Sequence, residues 1–148
     1  MATLTITLTE AVTMGDGSTD RGTTNTQAIT VNEVSHRIMD VGASYVELIK
    51  FAAAASAGTF KDDSVKYLRI TNLDASANIT LKIGMADSEY FVKIEPEDHF
   101  LLGNNDMDAH EAGGTSVGTA ETLGNINIIS GKSSSGTIQI ELFVACQD

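Results

Sequence analysis

The segment YLRITNLDASANITLKIG, residues 67–84, decides how the chain is read. Leu68 and Ile70 alternate with Tyr67, Arg69 and Thr71 in its first part, and Ile79, Leu81 and Ile83 alternate with Thr80 and Lys82 in its last. A period of two sends successive side chains to opposite faces of a strand, so each part is a strand with one apolar row. Between them LDASAN, with Asn72 before it, gathers Asn72, Asp74 and Asn78, whose side chains bond their own backbone and tolerate left-handed angles. These three are turn chemistry rather than a reactive cluster, and the two strands are expected to pair as an antiparallel hairpin.

The same rhythm runs outward in both directions. At the N-terminus Leu4, Ile6 and Leu8 alternate with Thr3, Thr5, Thr7 and Thr9, a strand with one buried face and a β-branched outer face. MGDGSTDRGTTNT, residues 14–26, is polar and glycine-rich and is expected to be a long loop, after which alternation resumes around Ile29 and Val31. Ala52 to Ala55 favour helix by propensity, while Val46, Leu48 and Ile49 fit a strand, and a strand over Tyr45–Phe51 is the expectation. Tyr90, Val92 and Ile94 form a further strand, stopped by EPED with the lone Pro96, and Phe100 to Leu102 begin another. Residues 103–121, GNNDMDAHEAGGTSVGTAE, carry no sustained periodicity, and a long loop in a small domain is a place to look for function. Ile126 to Ile129 and Thr137 to Val144 flank SGKSSSG and read as a second hairpin. Eight or nine short strands with no amphipathic helix define an all-β chain, an antiparallel β-sandwich or jelly-roll-like single domain over residues 1–148, with residues 1–12 a candidate N-terminal strand or arm.

Composition narrows the function classes. Nine basic against twenty acidic residues give a formal charge of −11, which repels phosphate backbones and anionic lipid. No nucleic-acid or membrane partner is therefore expected, and a basic partner surface suits the charge. The single cysteine, Cys146, excludes an internal disulfide and reads as a small apolar residue closing a strand. The first residues carry neither a basic segment followed by an apolar block nor a span long enough for a bilayer, so synthesis in a cytoplasm-like compartment is the expectation.

No constellation carries strong chemistry. Asp106, Asp108 and His110 alternate as oxygen and nitrogen donors in a manner similar to a calcium loop, and they are the weak metal candidates. Glu111 and Val117 stand where that loop needs glycine and a bidentate glutamate. His36, His99 and His110 form no His-x-His pair, GKSSSG lacks the leading glycine of a phosphate loop, and no nucleophile elbow occurs. With no tryptophan and 5% aromatics, Tyr45, Tyr67 and Tyr90 read as strand residues at the core margin rather than as a sugar platform. No cofactor and no catalytic residue is expected.

YLRITNLDASANITLKIG followed by YFVKIEPEDHFLLG resembles the small β-sandwich virion proteins of tailed bacteriophages. The matching positions are Ile70, Thr71, Asn72, Ile79, Leu81, Ile83, Val92, Pro96, Glu97 and Phe100 to Leu102, spread over a stretch of about 40 residues, with Asp98 where such proteins tend to place glycine. The resemblance implies a non-enzymatic structural role, a capsid decoration or cement protein on the virion surface. Its implied partners are the major capsid protein and copies of itself, a trimer being favoured. A tail or fibre component is the alternative, and a soluble metal- or sugar-binding sandwich the more distant one. The residues expected to make the contacts are Thr3, Leu4, Thr5, Ile6, Thr7 and Leu8 of the N-terminal strand, which could add to a neighbour's sheet or pair within its own, and Asn104, Asn105, Asp106 and Met107 of the acidic loop.

Overall fold

The computed structural model describes residues 2–15, 21–84, 89–103, 108–110 and 123–147. In chain order the strands are β1 (Ala2–Val12), β2 (Arg21–Val31), β3 (Glu33–Val41), β4 (Val46–Ala52), β5 (Thr59–Lys61), β6 (Val65–Asn72), β7 (Ile79–Gly84), β8 (Glu89–Ile94), β9 (His99–Leu102), β10 (Asp108–His110), β11 (Leu123–Asn125), β12 (Ile128–Ser133) and β13 (Ile138–Cys146), with a 3-10 turn at Asp62–Ser64. Two sheets face each other as a sandwich: four strands in the order β3-β13-β6-β9, and five in the order β5-β4-β12-β7-β8. The expected all-β sandwich is what forms. No helix among the described residues is long and apolar enough to cross a membrane.

Thirteen strands among the described residues exceed the eight or nine expected. β5, β10 and β11 are three residues each, too short to display a period. β2 hid in a stretch of Thr, Asn, Gln and Gly, so the loop expected over residues 14–26 gives way to strand from Arg21 onward. Likewise β10 lies inside the expected loop at residues 103–121 and pairs with β11.

The larger correction concerns the hairpins. β6 pairs with β13 and β9, whereas β7 pairs with β12 and β8, so residues 73–78 are an arch that carries the chain from one sheet to the other. β12 and β13 likewise belong to opposite sheets, and SGKSSSG is not a hairpin tip. Its first four residues are the end of β12, with Gly131 buried where a Cβ would meet the Ile79 and Leu48 side chains at 2.9 Å. The physical reason is that alternation records which row is buried, not which sheet buries it. Leu68, Ile70, Ile140, Leu142 and Val144 from one sheet, and Leu48, Ile49, Ile79, Leu81, Ile83 and Ile129 from the other, form one core in which apolar rows meet face to face.

β3 to β4 and β8 to β9 also cross between the sheets, and these four arches meet at one end of the sandwich, while β5 to β6 crosses through the 3-10 turn at Asp62–Ser64. Backbone hydrogen bonds tie them together: Ser133 N–H to the Gly42 carbonyl (2.8 Å), Ser134 to Asn78 (2.9 Å), Asn72 to Asp98 (2.9 Å), Leu73 to Gln139 (3.0 Å) and Glu97 to Asp74 (3.1 Å). Near the opposite end β2 bends at Asn32 into β3, and Cys146 ends β13 as a buried residue.

Candidate functional site beneath the N-terminal ribbon

β1 joins neither sheet of the sandwich. It pairs along all of its length with β2, from Ala2 opposite Val31 to Val12 opposite Arg21, as a two-stranded ribbon about 35 Å long. Period-two geometry gives the ribbon two chemically distinct faces. On one, Thr3, Thr5, Thr7 and Thr9 stand opposite Thr30, Ala28, Thr26 and Thr24; the hydroxyls of Thr7 and Thr26 lie 3.5 Å apart and those of Thr9 and Thr24 3.4 Å apart. On the other, Leu4, Ile6 and Leu8 stand opposite Ile29, Gln27 and Asn25. The face expected to be buried is only half so: Leu4 and Ile6 are partly covered, while Leu8 is 50% exposed.

What covers them is the outer face of the four-stranded sheet. Ribbon and sheet enclose a groove of about 490 Å³ whose walls include Ile6, Leu8, Tyr67, Arg69, His99 and Leu101. A shallower hollow of about 270 Å³ continues it past Leu4 to Phe143. The sheet side of the two hollows is built from the outward rows of β6, β9 and β13, placed in register as Arg69 opposite Phe143 and Leu101, with His36 of β3 opposite Phe143 beside them. Glu141 anchors this surface. One of its carboxylate oxygens accepts from Arg69 at 2.9 Å and the other from the His36 ring at 2.6 Å. Phe143 packs between His36 and Tyr67, each ring 5.9 Å away, the latter edge-on. Burial pushes the Tyr67 phenol above its ordinary value, only partly offset by the Arg69 guanidinium, so at neutral pH it stays protonated and able to donate. With Arg69 bound to Glu141, the groove offers apolar walls, hydroxyls and the side-chain amides of Asn25 and Gln27.

Of the residues expected to make contacts, Leu4, Thr5, Ile6, Thr7 and Leu8 line these hollows, and Thr3 lies on the threonine face. Asn104, Asn105, Asp106 and Met107 lie outside the described residues. Asp108 and His110 fall in β10, and among the described residues no three His, Cys, Asp or Glu side chains are grouped to hold a metal ion. Sequence reasoning missed Tyr67, Arg69, His36, Glu141 and Phe143. A signal existed in the outward rows of β6 and β13, which carry aromatic and charged residues. Tyr45, expected at the core margin, instead stands 39% exposed beside Phe91 on the outer face of the five-stranded sheet. Comparison with protein-family models, with curated proteins and with solved structures finds no match to this chain.

Proposed function

We propose that this protein is a structural component of a tailed-bacteriophage particle, a decoration protein that binds the capsid exterior and stabilises it through protein–protein contacts while associating with copies of itself. The observation that supports this most directly is the ribbon. Eleven residue pairs are formed, yet the apolar row is half covered and Leu8 and Val12 remain exposed. A two-stranded ribbon is marginally stable on its own, so one of this length gains its missing contacts by lying on another surface. Val34 and Ile38 on the outer face of β3 and Leu101 on β9 extend the exposed apolar area beside it. Such a surface works by shape and burial, and the role needs no turnover.

The test is cosedimentation of the full chain with undecorated capsids. Saturable binding at fixed stoichiometry is the expected result, and removal of Met1–Glu10 should weaken it. Equal binding by the shortened chain would sink the role of the ribbon. Failure of the full chain to bind, or its location on tails in labelled particles, would sink the capsid reading itself.

A further inference from the structure

We propose that the outer face of the β5-β4-β12-β7-β8 sheet is a self-association surface that takes the acidic, arch-bearing end of a second copy of this chain. The inference rests on the reading of the protein as a self-associating structural component and specifies the surfaces involved. It starts from charge segregation. Lys50 pairs with Ile128, Lys82 with Ser130, Lys132 and Lys93 both with Thr80, and Lys61 of β5 with Ala52, which puts five of the nine basic residues on the outward rows of one sheet. The carboxylates sharing these rows are Glu47, opposite Ser130, Glu89, 3.2 Å from Lys82, and Glu95, which continues the β8 row and pairs with Lys93 at 2.6 Å. Locally the face is therefore net positive, on a chain whose formal charge is −11.

The middle of this face is apolar. Phe91 is 54% exposed, and its ring centroid lies 6.4 Å from that of Tyr45. The ammonium groups of Lys132 and Lys82 sit 4.9 Å and 5.5 Å from the Tyr45 centroid, held by the negative face of the ring. Exposed aromatics flanked by charge are the anatomy of an interface centre with its rim.

The matching surface is on the same molecule, at the end where the arches meet. Leu73 is exposed there, and Asp40, Asp74, Glu97 and Asp98 lie around it in the connected turns. Two copies at −11 repel on average, and the lysine face against the carboxylate end is the orientation in which local attraction opposes that repulsion. The two surfaces are different, so the contact is heterologous: each copy keeps one free face and one free end, and successive contacts close into a ring or propagate.

Sedimentation velocity on the full chain tests this without any particle. Association is expected at about 50 mM salt and should weaken at least about tenfold at about 500 mM. Lys82→Glu with Lys132→Glu, and separately Glu97→Lys with Asp98→Lys, should each be monomeric, because each leaves two surfaces of like sign. An equimolar mixture of the two variants should associate again, since each then meets its opposite. Phe91→Ser, which alters no charge, should also lose association and covers the case in which charge reversal disturbs folding. A wild-type chain that stays monomeric, variants that associate as it does, or a mixture that stays monomeric would overturn the proposal. So would an acidic polysaccharide that binds the lysine face of a chain that remains monomeric. A chain that self-associates as described yet ignores capsids would defeat the decoration reading and leave this one standing.

Discussion

Asn72 shows how much one side chain can hold. It is 0% exposed; its amide donates to the Ala77 carbonyl at 2.8 Å and the Glu95 carbonyl at 3.1 Å, and its oxygen accepts from the Asp74 amide at 3.1 Å. Two arches are thus stitched by a single residue. Asn72→Ala should cost about 2–4 kcal/mol in urea unfolding, because buried carbonyls and an amide lose their partner. Asn72→Asp should cost more by placing an acid before two carbonyls; a loss under about 0.5 kcal/mol in either variant would contradict the assignment. Asp74 completes the turn by accepting from the Ala77 amide at 2.7 Å, and from the Ser76 amide at 2.8 Å and hydroxyl at 3.0 Å. These bonds, the Ala77 amide first, hold its carboxyl below the ordinary 3.8. A depressed folded value stabilises the fold above the unfolded value and is lost as pH falls through the folded one. The melting temperature of wild type should therefore exceed that of Asp74→Ala by its full margin near pH 6, and the margin should shrink below about pH 3.8.

At the scale of the element, the turn joining β8 to β9 carries strain. Pro96 and Glu97 occupy its middle, Asp98 N–H donates to the Glu95 carbonyl at 3.2 Å, and Glu97 has φ of 60°. Proline second and a left-handed third residue define a type II turn, where glycine is preferred. The resemblance to phage virion proteins places the missing glycine at Asp98, whereas the backbone puts the requirement at Glu97. Glu97→Gly should raise stability by about 0.5–1 kcal/mol, read as a higher melting temperature. The ribbon is the opposite case, an element regular in pairing and poor in burial. Hydrogen exchange should show β1 and β2 amides exchanging at least about a hundredfold faster than those of β13, whose inward row is buried throughout. Equal protection would mean that the ribbon is welded to the sandwich.

For the whole molecule, the decisive strand comes last. β13 lies between β3 and β6 in the centre of its sheet, pairing Cys146 with Glu33 and Phe143 with both His36 and Arg69. The core cannot close before residues near the C-terminus are in place. A chain ending at residue 137 should lack cooperative unfolding and near-ultraviolet circular dichroism, whereas the full chain should fold on the millisecond-to-second scale of proteins built from distant pairings.

The strands with clear alternation, the apolar rows and the turn residues between them are local properties, so residues 67–72, 79–83 and 90–94 were legible as strands from the chain alone. Charge, the lone cysteine and the all-β class were legible for the same reason. Partnership was not. Whether Leu68 and Ile79 sit in one sheet or face each other across the core depends on β13 and β12, residues more than fifty positions away, and no local period encodes that choice. The groove followed the same logic: the N-terminal strand and its apolar row were visible, but Tyr67, Arg69 and Glu141 become a site only when tertiary structure lays the ribbon across the sheet that carries them.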